Sequence, residues 1–141
     1  MLLAAWAGKG IALAVLLFGA AYSDIRCRKV PDGYSLGIIL TALIMPDTEK
    51  WWGAMCALPF FVTAMTIGGI GGADIKLMGA AGMVLGFYEG IAAMVIGLAG
   101  MLVYHMAERL LRKGEAGRSY PLVPFLAAGV LLVYLTLIPR Q

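Results

Sequence analysis

From Leu2 to Ile138 the sequence is a series of apolar segments broken by short charged loops. That pattern leaves few folds open. Lipid offers no hydrogen-bond partners to the backbone, so a spanning segment must satisfy its own N–H and C=O groups within a helix or a closed barrel. Hydrophobic residues make up 62% of the 141 positions and charged residues 13%. Soluble domains carry roughly 45–50% and about 25%. The mean hydropathy is +0.90, and nineteen glycines suit helices packed closely in lipid. The expected fold is all-α, a polytopic membrane helical bundle of about six transmembrane helices, with residues 1–141 as a single membrane-embedded domain.

The segments read as Leu2–Tyr22, Tyr34–Met45, Trp51–Ile70, Ala73–Tyr88, Gly90–Met106 and Tyr120–Ile138. A span needs about 20 residues, with a range of about 17–25. The second and fourth fall short, and either begin in the preceding loops or thin the bilayer. The first is not expected to be a cleaved signal peptide, because its apolar run starts at Leu2, ahead of Lys9, the reverse of the signal order. The stretch "HMAERLLRKG" extends the fifth helix into water, with Glu108 and Arg112 paired at i, i+4 and Gly114 as its end.

Basic residues orient the bundle. Arg26, Arg28, Lys29, Lys76, Arg109, Arg112, Lys113 and Arg118 fall in alternate loops, leaving Lys9, Lys50 and Arg140 on the other side, which accounts for all eleven. The positive-inside rule puts the first group in the cytoplasm and both termini outside. Trp51 and Trp52 then sit at the outer interface, with Tyr22, Tyr34 and Tyr104 at the inner one.

This orientation brings two acids to one depth. Asp24 ends the first segment and Asp74 opens the fourth, so both lie at the cytoplasmic boundary although fifty residues separate them. Ionisable side chains near hydrocarbon are costly and usually face the bundle interior. Two close carboxyls disfavour double ionisation and share a proton, the arrangement with which an aspartic-protease-like dyad activates water and polarises a peptide carbonyl. The structural alternatives are ordinary: Asp24 as a solvated loop acid, Asp74 as a capping or first-turn acid. Gly68, Gly69, Gly71 and Gly72 precede Asp74 and leave room for a bent backbone or an extended peptide. Further on, Gly82, Gly86 and Gly90 form GxxxGxxxG, expected on one face of the fourth helix as a packing surface.

Three patches resemble the type IV prepilin peptidases, membrane aspartyl proteases with a GxGD motif. "GGADIKLMGAAG" is similar to the family's GxGD-(V/I)-K-L-L stretch, aligning Gly71, Asp74, Lys76 and Leu77. "DIRCRKVPDGYSL" is similar to its first motif, matching Asp24 and Pro31, and "YPLVPFLAAG" to the Pro-x-x-Pro-Phe-Leu-Ala stretch that opens its last segments. The patches occur in family order. Ala73 replaces the second glycine of GxGD, and Asp32 stands where the family usually has Asn.

The resemblance implies a hydrolase that cuts the short basic leader from type IV prepilins or pseudopilins at the cytoplasmic face of the bacterial inner membrane, usually after a glycine. It implies Asp24 and Asp74 as the catalytic pair, with Gly71, Gly72, Ala73, Lys76 and Pro31 binding substrate or shaping the site. Large members of the family also N-methylate the new terminus and carry an extra cytoplasmic region, often with two CxxC pairs. The expectation here is the small, peptidase-only branch, because Cys27 and Cys56 form no such pair. Cys27 reads as an inert loop cysteine and His105 as an interfacial residue. Lys76 either orients Asp74 or snorkels. No metal, cofactor or nucleic acid is expected; the partners are membrane lipid and the pilin-type substrate, and the oligomeric state is left open. An apolar substrate helix is expected to dock where Gly and Ala faces allow close contact. The competing reading is a non-catalytic homologue, or a small membrane transporter using Asp74 and Lys76. Transport predicts an internal repeat and midplane acids, and neither is visible.

Overall fold

The computed structural model describes residues 1–44, 46–112 and 120–138. Six α-helices form within them: α1 (Leu2–Cys27), α2 (Asp32–Leu43), α3 (Ala57–Thr66), α4 (Gly72–Leu85), α5 (Phe87–Leu111) and α6 (Val123–Thr136). A 3₁₀ segment, Thr48–Cys56, runs directly into α3, and the described residues contain no strand. The all-α bundle is the observed fold.

Length separates the helices into two kinds. At 1.5 Å per residue α1 and α5 measure about 39 and 38 Å, more than the roughly 30 Å hydrocarbon core. These two are long and apolar enough to cross a membrane by length and composition. The third segment approaches that span differently. Its 3₁₀ part rises about 2.0 Å per residue, so the segment with α3 covers roughly 33 Å. Helices α2, α4 and α6 reach only about 18–21 Å. The sixth segment is therefore shorter than its apolar run suggested.

Burial follows helical spacing. On α1, Leu13, Leu17, Ala20 and Ala21 are buried, while Ile11, Val15, Phe18 and Tyr22 are each more than half exposed. The outward stripe is as apolar as the inward one, and the same holds for Leu36 and Leu40 on α2, Leu102 and Val103 on α5, and Leu132 and Leu135 on α6. A belt of this kind on every side is disfavoured in water and fits lipid. The chain is an integral membrane protein.

Helix α4 lies at the centre, packed against α2, α3, α5, α6 and the 3₁₀ segment. Glycine makes this possible. A Cβ on Gly53 would collide with the Gly82 carbonyl, and one on Gly82 with the Gly53 carbonyl. The GxxxGxxxG motif is not on one helix, as expected from sequence. Gly86 ends α4 at φ 114°, a conformation closed to most side chains, so Gly82 belongs to α4 and Gly90 to α5. The motif still packs, across the α4–α5 corner: a Cβ on Gly90 would come within 3.2 Å of Gly82 Cα. Near the end of α5, Arg112 faces Glu108 at 4.0 Å, as the spacing suggested. Gly114 lies outside the described residues.

Candidate active site

Helix α1 stops just after Asp24. Arg28 adopts a left-handed conformation (φ 51°, ψ 25°), its N–H donates to the Asp24 carbonyl at 3.0 Å, and the Ser23 hydroxyl donates to the Lys29 carbonyl at 2.7 Å. Asp24 is thereby held in the last turn of α1, where a negative side chain opposes its own helix dipole. The compensation comes from a distant part of the chain. The backbone N–H of Val123, the first residue of α6, donates to Asp24 Oδ2 at 3.2 Å. Pro124 belongs to the opening turn of α6, where a missing N–H costs nothing. One helix end that disfavours the acid is thus set against another that favours it.

Asp74 is positioned by a turn that depends on glycine. At the end of α3 the N–H groups of Ile67 and Gly68 both reach the Thr63 carbonyl, at 2.9 and 3.2 Å. Gly68 and Gly69 then take φ of 75° and 84°. The chain reverses, Gly71 caps α4, and the Asp74 N–H bonds the Gly71 carbonyl at 3.1 Å. The Asp74 carboxyl reaches back toward the Gly71 N–H, the capping geometry of a first-turn acid. The capping reading and a chemical role are therefore compatible.

Both carboxyls line a single cavity of about 590 Å³. They are near enough for their charges to interact. The polar part of the wall is Asp24, Asp74, Arg28, Thr63 and Tyr120, and the rest is mainly apolar. A pair of carboxyls in such a half-enclosed setting can share a proton, with one accepting from water while the other donates to a carbonyl oxygen.

The other expected site residues divide. Gly71 lines the cavity, and a Cβ there would sit 3.4 Å from Asp74 Oδ2. Gly72 and Ala73, in the first turn of α4, are not among its lining residues, and neither are Pro31 and Lys76. Pro31 caps α2. Lys76 turns away from Asp74 and grips both oxygens of Asp32, at 2.9 and 3.0 Å. The residue at the family's Asn position thus ties α2 to α4. Sequence reading passed over Arg28, Thr63 and Tyr120 as wall residues. Arg28 and Tyr120 lie within the quoted patches, whereas Thr63, inside an apolar run, carries no signal. His105 packs edge-on against Tyr120, with ring centroids 5.1 Å apart. Cys27 is exposed, and Cys56 is buried with its thiol toward the Phe87 carbonyl. Among the described residues no three His, Cys, Asp or Glu side chains gather as a metal site would require.

Fold and site together define the class: an all-α integral membrane protein with two carboxyls, from separate helix ends, facing one cavity. The chain belongs to the type IV leader peptidase family, whose model matches residues 11–106. It is similar to the prepilin leader peptidase/N-methyltransferase of Bacillus subtilis (strain 168), with 29% identity over 137 residues, covering 85% of this chain and 52% of that protein. The chain thus spans about half the length of the curated relative it matches. No solved structure matches it.

Proposed function

We propose that residues 1–141 form a single aspartic endopeptidase domain that removes the leader of type IV prepilins or pseudopilins, with Asp24 and Asp74 as its catalytic pair. The observation that carries this is the convergence of the two acids. They are fifty residues apart in sequence and lie on the last turn of one helix and the first turn of another, yet they line one cavity. In the reaction one carboxylate takes a proton from water as the water attacks the scissile carbonyl, and the other carboxyl gives its proton to the carbonyl oxygen; the first then passes the proton it took to the leaving nitrogen as the C–N bond breaks, and the second recovers a proton from the gem-diol hydroxyl. No metal or cofactor is required for these steps.

The loop-charge bias supports a multi-pass protein of the bacterial inner membrane with this cavity at its cytoplasmic face. A substrate with a basic leader in the cytoplasm and an apolar helix in lipid presents its cut site at that depth. A transporter built on Asp74 and Lys76 is less well supported, because Lys76 is engaged by Asp32.

The test is cleavage of a co-expressed prepilin in membranes. Asp24→Asn and Asp74→Asn each abolish processing, a fall of about 10³-fold or more if both carboxyls act in the chemical step, while the protein stays folded and membrane-inserted. Normal processing by either variant refutes the dyad.

A further inference from the structure

The cavity that holds the two carboxyls continues beyond them into the bundle. Helix α3 packs on α4, and α5 on α4 and α6, but α3 and α5 do not pack on each other. The gap between them is lined on one side by Pro59, Phe60 and Thr63 of α3 and on the other by Met94, Leu98 and Met101 of α5. The α5 residues follow i, i+4, i+7 spacing and so form one stripe, distinct from the Ala93–Gly97 face that packs on α6. The slot opens outward: Leu98 is 39% exposed and Pro59 is exposed. One compartment therefore has a polar end, with Asp24, Asp74, Arg28 and Tyr120, and an apolar trough running from it toward the lipid face.

We propose that this slot between α3 and α5 receives the apolar helix of the substrate, with Met94, Leu98 and Met101 as its docking face. The inference rests on the leader-peptidase reading above. A leader substrate changes character at its cut site, from a polar extended peptide to an apolar helix, and the compartment changes character in the same way along its length. The stripe from Met94 to Met101 is about 10 Å long and accompanies roughly two turns of a docked helix. Unbranched Met side chains repack around different partners, so one enzyme accommodates more than one pilin-type helix.

The small-residue faces expected to receive the substrate are already occupied. Gly53 and Gly82 close on each other, Gly97 on Leu126, and Gly129 on Ala93. A second apolar groove, lined by Leu36, Ile39, Gly79 and Met83, ends at the Asp32–Lys76 pair and not at the carboxyls. It serves as the control.

The experiment uses the full chain in proteoliposomes and two probes. One is a membrane-embedded reporter with a basic leader ending in glycine followed by a 20-residue apolar helix. The other is a soluble peptide with the same cut site and no helix. Leu98→Trp narrows the slot and lowers reporter cleavage by about tenfold or more, while peptide cleavage stays within about twofold; Leu36→Trp, in the control groove, changes neither. A photo-crosslinking residue at position 98 captures the reporter helix, and one at position 36 does not. Equal reporter cleavage by Leu98→Trp and the parent chain, or capture from position 36 in place of 98, overturns the slot and leaves the peptidase standing. If the parent chain cleaves neither probe, the slot and the peptidase reading fall together. If position 98 captures only lipid, the slot is a lipid crevice and the proposal is wrong.

Discussion

Ala73 occupies the place of a motif glycine, and the structure gives a definite expectation for restoring it. Ala73 is in the first turn of α4, where its backbone is helical. No left-handed conformation is needed there, unlike at Gly68 and Gly69. Its methyl group is half-buried but is not part of the cavity wall. Ala73→Gly therefore removes helix propensity without opening the site. Glycine in a helix costs about 0.5–1 kcal/mol relative to alanine. For a chain of this size that lowers the melting temperature by about 1–4 °C, measured by thermal unfolding in detergent. Reporter cleavage stays within about twofold. Gly71 makes the contrast. Its φ of −69° suits any residue, so substitution strains nothing locally, yet a Cβ there stands 3.4 Å from Asp74 Oδ2. Gly71→Val projects its methyls beyond that point toward the carboxyl and lowers cleavage by about tenfold or more at little cost in stability. A tenfold gain in cleavage from Ala73→Gly refutes the reasoning, since it means that the Ala73 methyl stands in the substrate's path.

Two further perturbations separate packing from chemistry. Gly53→Ala drives a methyl into the Gly82 carbonyl and costs about 1–3 kcal/mol of stability by thermal unfolding, whereas Gly100→Ala, whose nearest new neighbour is Phe125 Cδ1 at 3.7 Å, costs little. Lys76→Met removes an ion pair whose side chains are 56% and 75% exposed, so it shifts stability by no more than about 1 kcal/mol and leaves cleavage intact; a loss of tenfold or more puts Lys76 back among the site residues.

The ordinary physics of lipid made much of this protein legible in its sequence. A backbone that must satisfy itself, in a chain this apolar, becomes a helical bundle, and the segment ends were readable to within three residues for α2, α4 and α6. Acids are expensive next to hydrocarbon, so Asp24 and Asp74 stood out, and loop charges predicted one depth for both. Depth is one coordinate only. Whether the two acids lie in one cavity depends on how α1, α4 and α6 are arranged around each other, and that arrangement rests on long-range contacts absent from any local pattern: the Val123 N–H on Asp24, the Gly53–Gly82 backbone contact, and the Gly86 corner that divides an apparent single-helix motif between two helices. The destination of Lys76 was hidden for the same reason, since its partner Asp32 is forty-four positions away. Sequence determined which groups are costly enough to need a purpose. Tertiary structure decided which of them meet, because a helix fixes the direction of its own side chains but not the neighbour they face.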